Sequence, residues 1–221
     1  MSNASEVENL VLNKKAIIFD FDGVILDSVD IKTRAFSDLF QNFGPKIQNK
    51  VINHHLANGG VSRHRKISHY YNEFLNKKLN KFELNKLCDD FSKLVVSKVI
   101  SSSEIKGASN FLQKLNKIKK FMFINTGTPQ DEINLILKER NLYNFFNKVY
   151  GSPSSKEKNM KSILNENNLD ISDCIFFGDS FSDLIAADKF EMDFVGVGST
   201  IRKFLENREH FNILSFNEIK L

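Results

Sequence analysis

Three short segments gather the residues able to do covalent or metal chemistry. Asp20-Phe21-Asp22-Gly23 sets two carboxylates on either side of one phenylalanine, and Asn125-Thr126-Gly127-Thr128 offers hydroxyls beside a glycine amide. Gly178-Asp179-Ser180-Phe181-Ser182-Asp183 adds two more carboxylates, and Lys156 stands between the second and third segments. Carboxylates drawn to one point repel unless a cation sits among them, and hard oxygen ligands suit Mg²⁺, whose open positions phosphate oxygens can fill. A nearby lysine and threonine hydroxyl would balance the rest of a phosphoryl group. One aspartate can then act as covalent nucleophile, dividing the displacement into formation and hydrolysis of an acyl phosphate. A second carboxylate serves as acid for the leaving alcohol and as base for the attacking water.

Such residues meet only if the chain brings their segments to one place. The apolar runs Ala16-Ile17-Ile18-Phe19, Phe121-Met122-Phe123-Ile124, Cys174-Ile175-Phe176-Phe177 and Phe194-Val195-Gly196-Val197 are continuous rather than alternating, which predicts strands buried on both faces. Helical periodicity over 108–117, 129–140, 156–167 and 183–189 lies between them. The alternation predicts an α/β fold, a Rossmann-like, mostly parallel sheet whose carboxyl edge forms a common crevice. All three polar segments stand at predicted strand ends. About a hundred residues separate the first two strands, more than one crossover helix needs. Helical patterns near 30–42, 62–78 and 81–102 predict an inserted helical domain over 29–103, with hinges near Asp27–Asp30 and Ser101–Gly107. The core is then discontinuous, 1–28 and 104–221, and the first dozen residues read as a tail.

In this order the segments resemble the haloacid dehalogenase superfamily, in the branch of phosphoglycolate phosphatases and β-phosphoglucomutases with a helical cap. The resemblance covers nearly the whole chain. It implies Asp20 as nucleophile and Asp22 as acid and base, Mg²⁺ as cofactor, and Asp20, Asp179 and the Asp22 backbone carbonyl as metal ligands. Thr126 and Gly127 would hold the phosphoryl group, with Thr128 as the alternative source of the hydroxyl. Lys156 would neutralise charge. Asp183 would orient either a metal-bound water or Lys156. In the cap, Asn58-Gly59-Gly60-Val61-Ser62-Arg63 resembles a substrate loop, which makes Gly60, Ser62 and Arg63 candidate contacts. The same letters also read as a turn, a helix cap and a solvated arginine. Lys32 and Arg34 face either solvent or the crevice, and His54 and His55 read equally as ligands or as ordinary helix-end residues.

The resemblance implies hydrolysis of a small, anionic phosphorylated metabolite such as a sugar, sugar-acid or glycolate phosphate. A phosphomutase shares the same first step. Mutase-like relatives carry a lysine after the second-segment hydroxyl, an acidic residue before the metal-binding aspartate and a hinge histidine, where this chain has Thr128-Pro129, Gly178 and Lys32. The Gly-Val-Ser-Arg loop points towards the mutase. Asp22 argues against carbon–halogen cleavage, and Lys66 is the nearest candidate for the cap lysine of a phosphonoacetaldehyde hydrolase. A phosphometabolite-binding protein without turnover is the reading from another class.

Composition bounds the partners. The chain has 221 residues, 41% hydrophobic and 26% charged, enough for a real core. A net charge of +4 is too small to indicate nucleic-acid binding. Between Val29 and Glu104 stand 13 Lys and Arg against 7 Asp and Glu, read as either a solvated basic face or a basic lid over an anion. No run has the length of a membrane span, and the reading is a cytoplasmic protein, monomeric by default. Cys88 and Cys174 read as buried thiols without a disulfide.

Overall fold

The computed structural model describes residues 4–205 and 210–221. Helix α1 (Ala4–Asn13) leads into β1 (Ala16–Phe19), after which come α2 (Val29–Leu39), α3 (Pro45–Ala57), α4 (Arg63–His69), a π-helical turn over Tyr70–Phe74, and α5 (Lys81–Ile100). The chain continues through α6 (Ala108–Lys117), β2 (Phe121–Pro129), α7 (Gln130–Glu139), β3 (Lys148–Ser152), α8 (Lys156–Glu166) and β4 (Cys174–Gly178). It ends with α9 (Phe181–Asp188), β5 (Asp193–Val197), α10 (Arg202–Leu205) and β6 (Phe211–Ile213).

The strands form one parallel sheet in the order β3-β2-β1-β4-β5-β6. Strand order reverses at β1, the place where crevices open in such sheets. Phe19 is level with Ile124 on one side and Phe177 on the other, so Asp20, Asn125 and Gly178 stand level at the carboxyl edge of the three strands. Side chains alternate between two buried faces. Ile17, Phe19, Ile124, Ile175 and Phe177 pack with Val7 and Val11 of α1, Phe111 of α6 and Ile133 of α7; Ala16, Ile18, Phe123 and Phe176 pack with Met160 of α8 and Leu184 of α9. Burial on both faces is why these runs carry no polar alternation. Each buried Phe contributes about 1.5–3 kcal/mol.

Several sequence expectations are corrected here. The first dozen residues are not all tail, because Val7 and Val11, four apart, dock α1 on the sheet; Met1–Asn3 lie outside the described residues. The edge strands β3 and β6 escaped the pattern of apolar runs, being Lys148-Val-Tyr-Gly-Ser and only three residues respectively. Helix α3 was also missed. It opens on Pro45 after Gly44 and buries only Val51 and His55, so its apolar stripe is thin. Cys88 and Cys174 are buried and free.

The two chain segments joining sheet and helical insertion run side by side. Ile105 N donates to Ile25 O (3.0 Å), Asp27 N donates to Ser103 O (2.9 Å), and Leu26 bridges Glu104. Within the insertion, Phe36, Phe40, Tyr70 and Phe91 pack ring against ring. Among the described residues, no helix is long and apolar enough to cross a membrane.

Candidate active site

Asp20 is the first residue beyond β1. Its amide still follows the sheet, donating to Phe177 O at 2.9 Å, while its carboxylate turns into the crevice. Oδ1 accepts from Phe21 N (2.6 Å) and Oδ2 from Lys156 Nζ (2.8 Å). Lys156 is the first residue of α8, which Ser155 caps through Lys158 N. Its ammonium also contacts Asp183 Oδ1 closely. Asp183, in the first turn of α9, accepts from Ser180 N (3.1 Å) and Ser180 Oγ (2.6 Å). The third segment is therefore both a helix cap and an anchor for Lys156.

Asp179 differs from its neighbours. No hydrogen bond from the described residues reaches its carboxylate, although oxygens of Asp20, Asp179 and Asp183 lie within 4.8 Å of one another. Burial, partly offset by Lys156 and reinforced by Asp183 and Asp22, pushes Asp20 up to about 6. Burial with Asp20 and Asp183 holds Asp179 well above the usual carboxylate range. Lys156 goes the other way: burial would lower it, but Asp183 and Asp20 outweigh that and raise it. One lysine thus leaves the acidic cluster short of positive charge, and the all-oxygen donor set suits a hard divalent cation.

The Asp22 carboxylate points elsewhere. It accepts from Ser28 Oγ (2.6 Å), Thr128 Oγ1 (2.9 Å) and, closely, Lys32 Nζ, and Lys32 also donates to Thr128 Oγ1 (2.8 Å). Burial would raise Asp22, but Lys32 and the two hydroxyls hold it below its ordinary value. Thr128 is thereby engaged, whereas among the described residues the Thr126 hydroxyl makes only a weak bond, accepting from Thr128 N (3.3 Å). Of the two α2 cations, Lys32 turns to the site and Arg34 is exposed.

The loop before α4 closes over this edge. Ser182 Oγ donates to Gly59 O at 2.8 Å, and a side chain on Gly127 would meet Gly60 O at 2.3 Å. Gly60 has φ +72°, and a Cβ there would lie 2.3 Å from Ser182 Oγ and 2.8 Å from Lys156 Nζ. Only glycine allows this approach. Ser62 precedes α4 and caps it through its carbonyl, which accepts from Lys66 N (3.2 Å), rather than through its hydroxyl. A cavity of about 740 Å³ results, lined among others by Asp20, Asp22, Lys32, His55, Lys66 and Thr126.

Arg63 lines that cavity but is engaged on its far side. Its Nη2 pairs with Glu132 Oε1 of α7 at 2.5 Å, Nη1 donates to Ser92 Oγ of α5 at 2.5 Å, and Phe91 lies 4.6 Å below the guanidinium. Arg63 and Glu132 are 5% and 8% exposed. Sequence reasoning did not single out Glu132, and it left His55 open; no spacing rule links α4 to α7. His54 stacks on His69 (4.2 Å) in the aromatic cluster of the insertion.

Comparison with known families decides the class. The family model of haloacid dehalogenase-like hydrolases matches residues 17–197. The chain belongs to this family. No curated protein matches it. Among solved structures, this haloacid dehalogenase-like chain is similar to β-phosphoglucomutase from Clostridium difficile, with a TM-score of 0.77, 21% identity and 94% of each chain covered. A predicted phosphatase from Clostridium acetobutylicum gives 0.73 and 21%, covering 93% of this chain and 95% of that one. A Bacillus subtilis protein described as a haloacid dehalogenase-type hydrolase, in a magnesium-bound form, gives 0.68 and 13%, covering 93% and 96%. These likenesses establish the fold, a parallel α/β sheet of Rossmann-like type.

Proposed function

We propose that this protein is a Mg²⁺-dependent phosphatase of a small, anionic phosphorylated metabolite, working through a phosphoaspartate on Asp20. The observation that carries the reading is the buried Asp20 carboxylate, with Lys156 at 2.8 Å and, beside it, the Asp179 carboxylate, which no hydrogen bond from the described residues reaches. Asp20, Asp179 and the Asp22 backbone carbonyl would hold the cation, with Asp183 behind them positioning Lys156. When bound, the cation would lower the charge repulsion between phosphate and carboxylates.

Thr126 and the Gly127 amide would orient the phosphoryl group, and Lys156 would balance charge on its oxygens. An Asp20 oxygen attacks phosphorus, the ester P–O bond breaks, and the leaving alkoxide takes a proton from the Asp22 carboxyl group. Asp22, now a carboxylate, removes a proton from water, which attacks the phosphoaspartate; phosphate departs and the Asp20 carboxylate is regenerated. The Lys32, Ser28 and Thr128 contacts favour the charged form of Asp22 needed in this second half. The helical insertion would act as a cap, with the Gly59–Gly60 loop excluding water when closed.

Hydrolysis is favoured over mutase chemistry by the local packing. A side chain at Gly178 would meet Asp183 Cβ at 2.3 Å, leaving no room for the acidic residue that mutase-like relatives carry there. The test is phosphate release with Mg²⁺ from sugar phosphates, sugar-acid phosphates and 2-phosphoglycolate. Release should occur and fall by on the order of a thousandfold or more in Asp20→Asn. Conversion of β-glucose 1-phosphate without phosphate release would replace the phosphatase by a mutase, and binding without either reaction would leave a non-catalytic phosphometabolite-binding protein.

A further inference from the structure

Lys66 of α4 is a cation sealed into the chamber, with no anion against it among the described residues. The residue is 2% exposed, and among the described residues its ammonium reaches only His55, Nδ1 at 2.9 Å and the carbonyl at 3.4 Å, with the Phe36 ring 5.7 Å away. An ammonium has no acceptor, so His55 Nδ1 must accept and the imidazole is neutral, its proton on Nε2. Burial and Lys66 push His55 down to about 2, in keeping with that assignment. Neither His55 nor Phe36 supplies the negative charge that a buried ammonium requires.

The other buried cations around the chamber already have theirs. Lys156 faces Asp20 and Asp183, Lys32 faces Asp22, and Arg63, the arginine singled out by the loop motif, faces Glu132. Burial, with Lys32 and Lys156 as like-charged neighbours, pushes Lys66 down to about 7, while Asp179 and Asp22 act in the opposite sense. Those two aspartates stand at the sheet edge where phosphoryl chemistry is proposed, and Lys66, carried by the helical insertion, lines the same cavity. A volume of about 740 Å³ accommodates a sugar-phosphate-sized ligand between them.

We propose that Lys66 receives a second anionic group, a carboxylate or a phosphate, on the leaving-group half of the substrate, so that the protein selects doubly charged phosphate esters. This rests on the reading of Asp20 as phosphoryl acceptor. His55 is then a positioning residue, holding the ammonium through one of its three protons and leaving the others for the ligand.

The test compares initial rates with Mg²⁺ on 2-phosphoglycolate, which adds a carboxylate, on glucose 1,6-bisphosphate, which adds a phosphate, and on p-nitrophenyl phosphate, which adds neither. In Lys66→Met the ratio of kcat/KM for a doubly charged ester to that for p-nitrophenyl phosphate should fall about tenfold or more, mainly through KM, and Lys66→Arg should recover part of it. The ester whose ratio falls identifies the second group. An unchanged ratio for both esters overturns the subsite. If the wild type hydrolyses none of the three, the reading of Asp20 has failed, and calorimetric titration of Asp20→Asn with the two doubly charged esters decides on Lys66 separately. Affinity that drops about tenfold when Lys66→Met is added supports the subsite; equal affinity overturns it. Lys66→Gln serves in both assays should the methionine variant not fold.

Discussion

Asp20 and Asp179 are destabilised as charges in the absence of a cation, and that has a signed consequence for pH. The folded state holds the Asp20 proton up to about pH 6, whereas the unfolded chain releases it near the ordinary value of 3.8. The folded form therefore binds more protons in that window, so the stabilising contribution is full below 3.8 and is lost as pH rises through about 6. Asp179 adds in the same direction. Melting temperature without metal should decline from pH 4 to pH 6.5, and Mg²⁺ should restore it above pH 6 while doing little at pH 4. Thermal melts with and without Mg²⁺ check this, and Asp179→Asn should flatten both trends. These carboxylates were legible in the sequence because each sits at a strand end within a short segment. Lys66 with His55, and Arg63 with Glu132, were not, since each pair joins two helices and is decided by packing that local spacing does not encode.

At the level of elements, the Arg63–Glu132 pair ties α4 to α7 and so joins the insertion to the sheet layer. A buried ion pair broken on one side leaves an uncompensated charge, at a cost of about 3–5 kcal/mol, whereas replacing both partners by apolar residues costs far less. Glu132→Leu alone should destabilise the protein strongly, and Arg63→Met with Glu132→Leu should recover much of the loss. Denaturant melts of the two single variants and the double variant measure the coupling; additive losses would mean that the two side chains do not act as a pair. Which elements were legible follows the same physics. The three central strands and β5 announce themselves because sheet burial demands continuous apolar runs. β3 and β6 lie at the edges, where fewer neighbours make that demand, and α3 carries only a thin apolar stripe.

For the molecule as a whole, the sequence disclosed the long interruption between the first two strands and its helical character, but not how its ends meet. That meeting point, Leu26 beside Glu104, bears on how the chain finds its fold. Phe19 and Ile124 pair in adjacent strands although they are 105 positions apart (124 − 19). Closing a loop of that length is slow and entropically costly. Once the helices have assembled and brought Leu26 and Glu104 together, only 27 connecting positions remain (26 − 19 plus 124 − 104). The closure entropy then falls by about 1 kcal/mol. Early assembly of the insertion would thus speed sheet formation. Tyr70→Ala, in the ring cluster of the insertion, should slow refolding in stopped-flow experiments. Ile163→Ala, on the buried face of α8, should instead mainly hasten unfolding. Equal refolding rates for the two would remove the insertion from the folding nucleus. With the expected outcome, the segment that covers the crevice is also the one whose early folding shortens the search between the central strands.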